Sequence, residues 1–326
     1  MGIMTVRQLG TSGLTTPPLI LGSNVFGWTT DRTTSFAVLD AFVSGGGRMV
    51  DTANSYSSWV PGNSGGESET IIGEWLSARG SRHDVVIATK VGAEVFGGRG
   101  LSPARITSSI EGSLERLRTD YIDLYFAHYD DPSTPLDATL EAFDALVRAG
   151  KVRAIGASNY SAERLRQALD TSAARALTPF TVLQPEYNLL EREKFEGPLQ
   201  ELCLERGLAA VPYYALASGF LSGKYRSSGD AANRPRGAAV TRYLNEYGLG
   251  VLQAVEAVAS ELSATPAQVA LTWLAAQPAV AAPIASATRV AQVEELLGAM
   301  RLTLTADQLA RLDAHSHRRA PALKPE

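Results

Sequence analysis

The sequence predicts a (β/α)8 TIM barrel, a closed ring of eight parallel strands surrounded by helices. Three observations predict it. Apolar runs of strand length recur along the chain, and there are eight of them. They are hydrophobic almost throughout, as strands covered on both faces are, and lack the alternation of a half-solvated sheet. Amphipathic helical stretches separate them, the βα alternation that a parallel sheet requires.

The runs are Leu19–Gly22, Met49–Ala53, Val85–Val91, Tyr121–His128, Val152–Ser158, Thr181–Tyr187, Leu208–Leu216 and Val280–Ala287. A prelude from Val6 to Pro18 reads as a β-hairpin turning near Gly10–Gly13 and is expected to close the barrel floor. After the third run, Ser102–Pro103 supplies an N-cap and a first-turn proline, and Ile106, Ile110, Leu114 and Leu117 then share one helix face. Leu140, Phe143, Leu146 and Val147 form a second stripe that stops at Gly150. Thr265–Pro266 opens a helix carrying Val269, Trp273 and Leu274, and Thr305 with Gln308 is a capping box opening an extra C-terminal helix. Arg226–Ala239 is polar and unpatterned and reads as a long surface loop, and the residues from His317 onward read as loosely ordered. No linker divides the chain, so residues 1–326 are expected to form one domain.

Composition narrows the function. Lys plus Arg number 30 against 34 Asp plus Glu, a net charge of −4, which leaves no basic footprint for nucleic acid or anionic membrane. No apolar run approaches the roughly 18 residues of a membrane span. The one cysteine, Cys203, excludes an internal disulfide framework and a cysteine-built metal site. It reads as a small buried apolar residue on its helix. The start MGIMTV has no secretory h-region, and Val6 breaks the myristoylation pattern, so a cytoplasmic location is expected. His315 and His317 suggest no metal, because no third ligand accompanies them. Oligomerisation has no sequence signature here.

Chemistry in such barrels gathers at the C-terminal ends of the strands. Barrel strand two gives Asp51, with Tyr56 five residues on, strand three Lys90 and strand four His128. Strand five gives Ser158 and Asn159, strand six Gln184, strand seven Tyr213 and strand eight Ser286. Asp51, Tyr56, Lys90 and His128 come from consecutive strands and should converge. Together they suit proton donation to a carbonyl oxygen. A lysine cation favours phenolate and is expected to lower the tyrosine's pKa from about 10. A carboxylate keeps that lysine charged and aimed, and a neutral histidine orients the substrate oxygen. If the proton is half of a reduction, the other half is hydride from a nicotinamide. Tyr213 is placed to stack on such a ring, and Ser158, Asn159 and Gln184 to hold its carboxamide. Neighbouring Tyr214 is the alternative by register, since adjacent strand residues face opposite ways.

The chain also resembles the aldo-keto reductase family, from the glycine hairpin to about Arg311. The resemblance rests on LGSNVFG, VDTANSY, GGESETIIGEWL, VIATKVG, YIDLYFAHYDD, GKVRAIGASNY, VLQPEYNLL, GFLSGKY and ATRVAQVEELLGA. It implies NADPH-dependent reduction of an aldehyde or ketone, with Asp51, Tyr56, Lys90 and His128 as the catalytic set. It implies cofactor contacts at Ser158, Asn159, Gln184, Tyr213, Leu216, Ser286, Arg289, Gln292 and Glu295, with Ser286 and Arg289 available to a 2′-phosphate. NADH is not excluded. Where the family carries Tyr-Ser-Pro-Leu after strand seven, this chain has Tyr213-Tyr214-Ala215-Leu216. A frequent arginine of the adenosine end falls on Gln292 and a frequent asparagine on Leu296.

Phe26 and Trp59 are the expected walls of a small-molecule carbonyl pocket. Trp28 and Phe96 lie in loops of the same kind. Three other readings compete. Lys90 suits a Schiff-base lyase, although a salt-bridged lysine is a poor nucleophile. An NADPH-binding regulatory subunit with slow turnover fits the same residues. A carbohydrate-active barrel would need paired carboxylates, for which only Glu186 and Asp131 offer themselves. GFLSGKY is not a phosphate loop, because its glycine spacing is short and Tyr225 replaces Ser or Thr. No Rossmann fingerprint is present either.

Overall fold

The computed structural model describes residues 6–80, 82–232 and 234–317. The chain opens with a hairpin, β1 (Arg7–Gln8) against β2 (Thr15–Thr16), antiparallel with Arg7 opposite Thr16. Leu9 is fully buried at its tip, and the Arg7 guanidinium donates to the carbonyls of Ala275, Val280 and Ala281. Gly10 has φ +59°, and a Cβ there would sit 2.2 Å from the Thr181 carbonyl oxygen. Only glycine lets the turn press against the strands this closely. The hairpin thus packs across the N-terminal end of the barrel.

Six βα units follow: β3 (Ile20–Gly22), α1 (Arg32–Ser44), β4 (Met49–Asp51), α2 (Glu67–Arg79), β5 (Val86–Val91), α3 (Pro103–Leu117), β6 (Ile122–Ala127), α4 (Leu136–Arg148), β7 (Val152–Ser158), α5 (Ala162–Ala174), β8 (Phe180–Gln184) and α6 (Pro198–Arg206). Then come β9 (Ala209–Ala210), short helices α7 (Ser228–Ala231) and α8 (Gly237–Thr241), and long helices α9 (Glu246–Glu261) and α10 (Pro266–Ala275). β10 (Ile284–Ala285), α11 (Val290–Ala299) and α12 (Ala306–Ser316) complete the described chain.

The eight strands β3 to β10 pair in parallel, with β10 beside β3. The ring closes between β9 and β10 through Ala210 N–H to Ala279 O at 2.7 Å, Ala281 N–H to Ala210 O at 2.8 Å and Ile284 N–H to Pro212 O at 2.8 Å. Side chains alternate across these strands, which creates two cores. Ile20, Met49, Ala88, Leu124, Phe126, Ala154 and Val182 fill the barrel interior. Val50, Ile87, Tyr125, Ile155 and Leu183 pack outward against the helices. Ser102 accepts from Arg105 N–H at the start of α3, and Thr265–Gln268 and Thr305–Gln308 form the capping boxes that open α10 and α12.

Several strands are shorter than the apolar runs. In the run 208–216 continuous pairing covers only Ala209–Ala210, with one further bridge at Tyr213, because Pro212 has no N–H to donate and Tyr214 adopts positive φ. The run 280–287 likewise keeps Ile284–Ala285 and a single bridge at Val280, and β6 stops at Ala127, one residue before His128. The stretch 226–239 is not an unpatterned surface loop. It carries α7, held by the Ser227–Asp230 capping box, and the start of α8, and it folds back over the barrel mouth. The residues after His317, expected to be loosely ordered, lie outside those described. Among the described residues no helix is long and apolar enough to cross a membrane.

Candidate active site

Strand alternation explains what stands at the barrel mouth. In β4 Met49 points inward, so Asp51 does too, and in β5 Ala88 is followed by Lys90. On the same parity, Phe126 is followed by His128, Ala154 and Gly156 by Ser158, and Val182 by Gln184. Each of these five strands, β4 to β8, fills the barrel with apolar groups and places a polar one at or just past its last inward position. Phe126 covers Gly156, where a Cβ would come within 2.5 Å of the ring, and so forms the floor beneath the polar layer.

Four groups meet there. The Lys90 ammonium, fully buried, donates to Asp51 Oδ2 at 2.6 Å, to the Thr52 carbonyl at 2.7 Å and to the Tyr56 phenol oxygen at 2.7 Å. The Tyr56 phenol donates to Asp51 Oδ2 at 3.2 Å. The His128 ring packs edge-on to Tyr56 with centroids 6.2 Å apart, and stacks on Tyr129 at 4.9 Å. Burial and the Asp51 carboxylate push the phenol pKa well above its ordinary value, the reverse of the expected lowering by Lys90. The phenol therefore holds its proton at neutral pH. Burial and the Lys90 charge hold the imidazole well below its ordinary value, so His128 is neutral. Burial lowers the pKa of Lys90, opposed by Asp51 and, through charge alone, by Glu69.

The other expected residues fall along one cleft of about 790 Å³ that runs from Asp51, Tyr56 and His128 across the mouth to Ser286, Arg289, Gln292 and Glu295. Ser158, Asn159, Gln184, Tyr213, Leu216 and Trp59 line it as well. Asn159 takes positive φ, donates to the His128 carbonyl at 2.9 Å and accepts from the Tyr213 phenol at 2.7 Å. The cap of α5 is left to Ser161. Tyr213 and Tyr214 both face the cleft, because Tyr213 makes the last bridge to the sheet, at Glu186, and Tyr214 then takes positive φ, so that the expected either-or of register no longer applies. Gln292 accepts from Thr288 N–H at 2.8 Å, which ties the start of α11 to the cleft wall.

Phe26 requires correction. It does not line the cleft: it is fully buried, and the turn from Ser23 to Thr30 folds its ring into the core between barrel and helices. The open rings at the mouth are Trp59, Tyr129 and Tyr214, each about half exposed, with Trp28 edge-on to Trp59 at 5.6 Å. Phe96, also exposed, lies under the Arg116 guanidinium and outside the cleft. Asp131 braces a loop. It accepts from Leu101 N–H, Ser133 and Thr134, and although burial raises its pKa these bonds bring it down to about 2. Glu186 is held by Lys194 and Arg242, so the two carboxylates do not form a pair.

Three cleft cations were not foreseen: Lys224, Arg234 and Arg236. Arg236 is half-buried, and its hydrogen bond goes to the neutral Asn24 Oδ1 at 3.2 Å, which also accepts from Ser286 Oγ at 2.7 Å. Burial lowers its pKa, and no carboxylate among the described residues pairs with it. The pKa of Lys224 falls through burial and through repulsion from Arg236, Arg234 and Arg289, eased by Glu295. The usable signal was the clustering of Arg226, Arg234 and Arg236 in a glycine-containing stretch that had no other explanation. Among the described residues no group of His, Cys, Asp and Glu is arranged to hold a metal.

Residues 18–317 match the model of the Aldo/keto reductase family. The chain is 34% identical over 319 residues to the uncharacterized oxidoreductase YrpG of Bacillus subtilis, covering 95% of each protein. It is 33% identical over 307 residues to a probable voltage-gated potassium channel subunit beta of rice, covering 91% of each. It is 30% identical over 326 residues to the L-glyceraldehyde 3-phosphate reductase of Escherichia coli O157:H7, covering 96% of this chain and 93% of that one.

Proposed function

The chain belongs to the Aldo/keto reductase family of oxidoreductases, and from that premise we propose that it reduces an aldehyde or ketone to an alcohol with NADPH, Tyr56 serving as general acid. The observation that carries this reading is the contact of Lys90 with both Asp51 and Tyr56, at 2.6 and 2.7 Å, on the floor of a dinucleotide-sized cleft.

The cleft's donor set fits the cofactor. Arg236 is a half-buried cation with no carboxylate bonded to it among the described residues, and Lys224, Arg234 and Arg289 lie around it, the chemistry that anionic phosphates complete. Ser158, Asn159, Gln184 and Tyr213 would hold the nicotinamide end, and Leu216, Ser286, Gln292 and Glu295 the remainder. This excess of cationic over acidic side chains favours the extra phosphate of NADPH over NADH. When bound, the cofactor supplies the hydride.

The chain's own groups do the rest. The buried Nδ1 of His128 has no hydrogen-bond partner among the described residues. An orphaned lone pair costs less than an orphaned N–H, which assigns the proton to Nε2. That N–H orients the substrate oxygen. A substrate oxygen taking on alkoxide character as its carbonyl is reduced would be far more basic than any phenolate. The raised pKa of Tyr56 is therefore no obstacle, and the phenol gives up its proton. Lys90 then stabilises the phenolate, and Asp51 holds Lys90 charged. Trp59, Tyr129 and Tyr214 would enclose the substrate. All three Lys90 protons have acceptors and its nitrogen is buried, which weighs against attack on a carbonyl.

The test is oxidation of NADPH, and separately NADH, over aromatic, small aliphatic and sugar aldehydes and ketosteroids. Aldehyde-dependent NADPH consumption is expected. Binding of NADPH without turnover on any carbonyl would favour the regulatory-subunit reading.

A further inference from the structure

The two oxygens of Asp51 serve different parties. Oδ2 accepts from Lys90 at 2.6 Å and from the Tyr56 phenol at 3.2 Å. Oδ1 accepts from Gln184 Nε2 at 2.8 Å, across the barrel axis from β8. Both Asp51 and Gln184 are buried, at 1% and 2% exposure, so each hydrogen bond lies in a low-dielectric setting where it is strong. The Gln184 backbone carbonyl accepts from Ser158 Oγ at 2.8 Å, which fixes the strand end. Its Nε2 is committed to Asp51, no donor among the described residues is bonded to its Oε1, and the residue lines the cleft.

At rest the phenol proton is turned toward Asp51, away from any substrate. We propose that Gln184 is a positioning residue that releases this proton when the nicotinamide end of the cleft is filled, an inference that rests on the function proposed above. A donor arriving on Oε1 polarises the amide and strengthens its N–H bond to Asp51 Oδ1. Carboxylate charge is drawn to Oδ1, the hold of Oδ2 on the phenol weakens, and the phenol is free to turn to the substrate. Lys90 keeps its grip on the phenol oxygen throughout. The charged and titratable groups around Asp51 are Lys90 from β5 and Tyr56 from the loop after β4, with Glu69 of α2 acting on Lys90 and Arg236 on Tyr56 through charge. His128, Tyr129 and Tyr214 stand beyond Tyr56.

Two variants of similar size test this in the full chain. Gln184→Met keeps the length and loses the donor. Gln184→Glu keeps an acceptor for the cofactor but puts a second carboxyl against Asp51, and two carboxylates that close raise each other's pKa, so the pair takes up a proton at a higher pH than either carboxyl alone. Gln184→Met should bind NADPH, with an aldehyde KM near wild type, and lose about tenfold or more in kcat at every pH. Gln184→Glu should lose kcat at neutral pH and regain it as the pH falls and the pair takes up one proton. That recovery should vanish when Asp51→Asn is added. If Gln184→Met fails to fold, the glutamate variant and its double mutant carry the test. The proposal is overturned if the kcat profile of Gln184→Glu runs parallel to wild type, or if Gln184→Met turns over within twofold of it. An NADPH-binding wild type that oxidises no NADPH would remove the function reading itself, and this proposal with it.

Discussion

The two ends of the cleft are built on opposite plans. At one end Asp51, Lys90 and Gln184 close strands, are buried, and spend their hydrogen bonds on one another. At the other, Lys224, Arg234, Arg236 and Arg289 stand on loops or at a helix start and have no carboxylate bonded to them among the described residues. A network whose charged members are bonded to one another is preorganised for a reaction that must happen in one geometry. A set of cations lacking counter-charges is incomplete until an anion arrives. Chemistry is assigned to the strand ends and affinity to the loops, and substitutions at the two ends should therefore fail in different ways.

The largest effect is expected at the strand ends. Lys90→Met leaves Asp51 buried without its cation, and loss of one partner of a buried pair costs about 3–5 kcal/mol of stability. Turnover should fall by about 10²-fold or more, as for loss of an acid–base group. Thermal unfolding with aldehyde-dependent NADPH oxidation reads both. A variant with wild-type melting and wild-type turnover would dissolve the contrast between the ends.

At the loop end, Arg236→Ala should leave melting nearly unchanged and weaken NADPH by about ten- to a hundredfold, as for loss of hydrogen bonds to a charged group. Affinity for NADH should change less if the 2′-phosphate is among its partners. A titration of cofactor fluorescence with both dinucleotides separates these cases, and an Arg236→Ala protein with unchanged NADPH affinity would place the phosphates elsewhere.

The smallest effect is a pH dependence. His128 is neutral when folded, with a pKa well below its unfolded value. Below about pH 6.5 the unfolded chain takes up the proton first, so stability should fall as the pH drops. By pH 5 this term reaches up to about 2 kcal/mol. His128→Asn should flatten that part of the melting profile, whereas Arg236→Ala should leave it in place.

The same contrast decides what the sequence disclosed. Asp51, Lys90, Ser158 and Gln184 end apolar strands on inward parity, so periodicity alone brings them together. Tyr56 and His128 lie just past their strands and were found by proximity. Arg234 and Arg236 sit in a stretch with no period, and only the path of α7 and α8 over the mouth delivers them to the cleft. Lys224 was passed over with the rejected phosphate-loop motif. Phe26 was misplaced because a loop aromatic can fold outward to a mouth or inward to a core, and the turn that decides it is set by hydrogen bonds from Thr30 and Ser57. The phenol's pKa was misjudged because the ammonium beside it was visible in the sequence, while the burial that outweighs it appears only in three dimensions.

The most direct measurement is NADPH oxidation by Tyr56→Phe at saturating cofactor, alongside its NADPH affinity. The change removes one oxygen and leaves the ring, Lys90 and Asp51 in place. Turnover about 10²–10⁴-fold below wild type, with cofactor affinity nearly intact, is the predicted result. Turnover within tenfold of wild type would show that another group delivers the proton and would contradict the account.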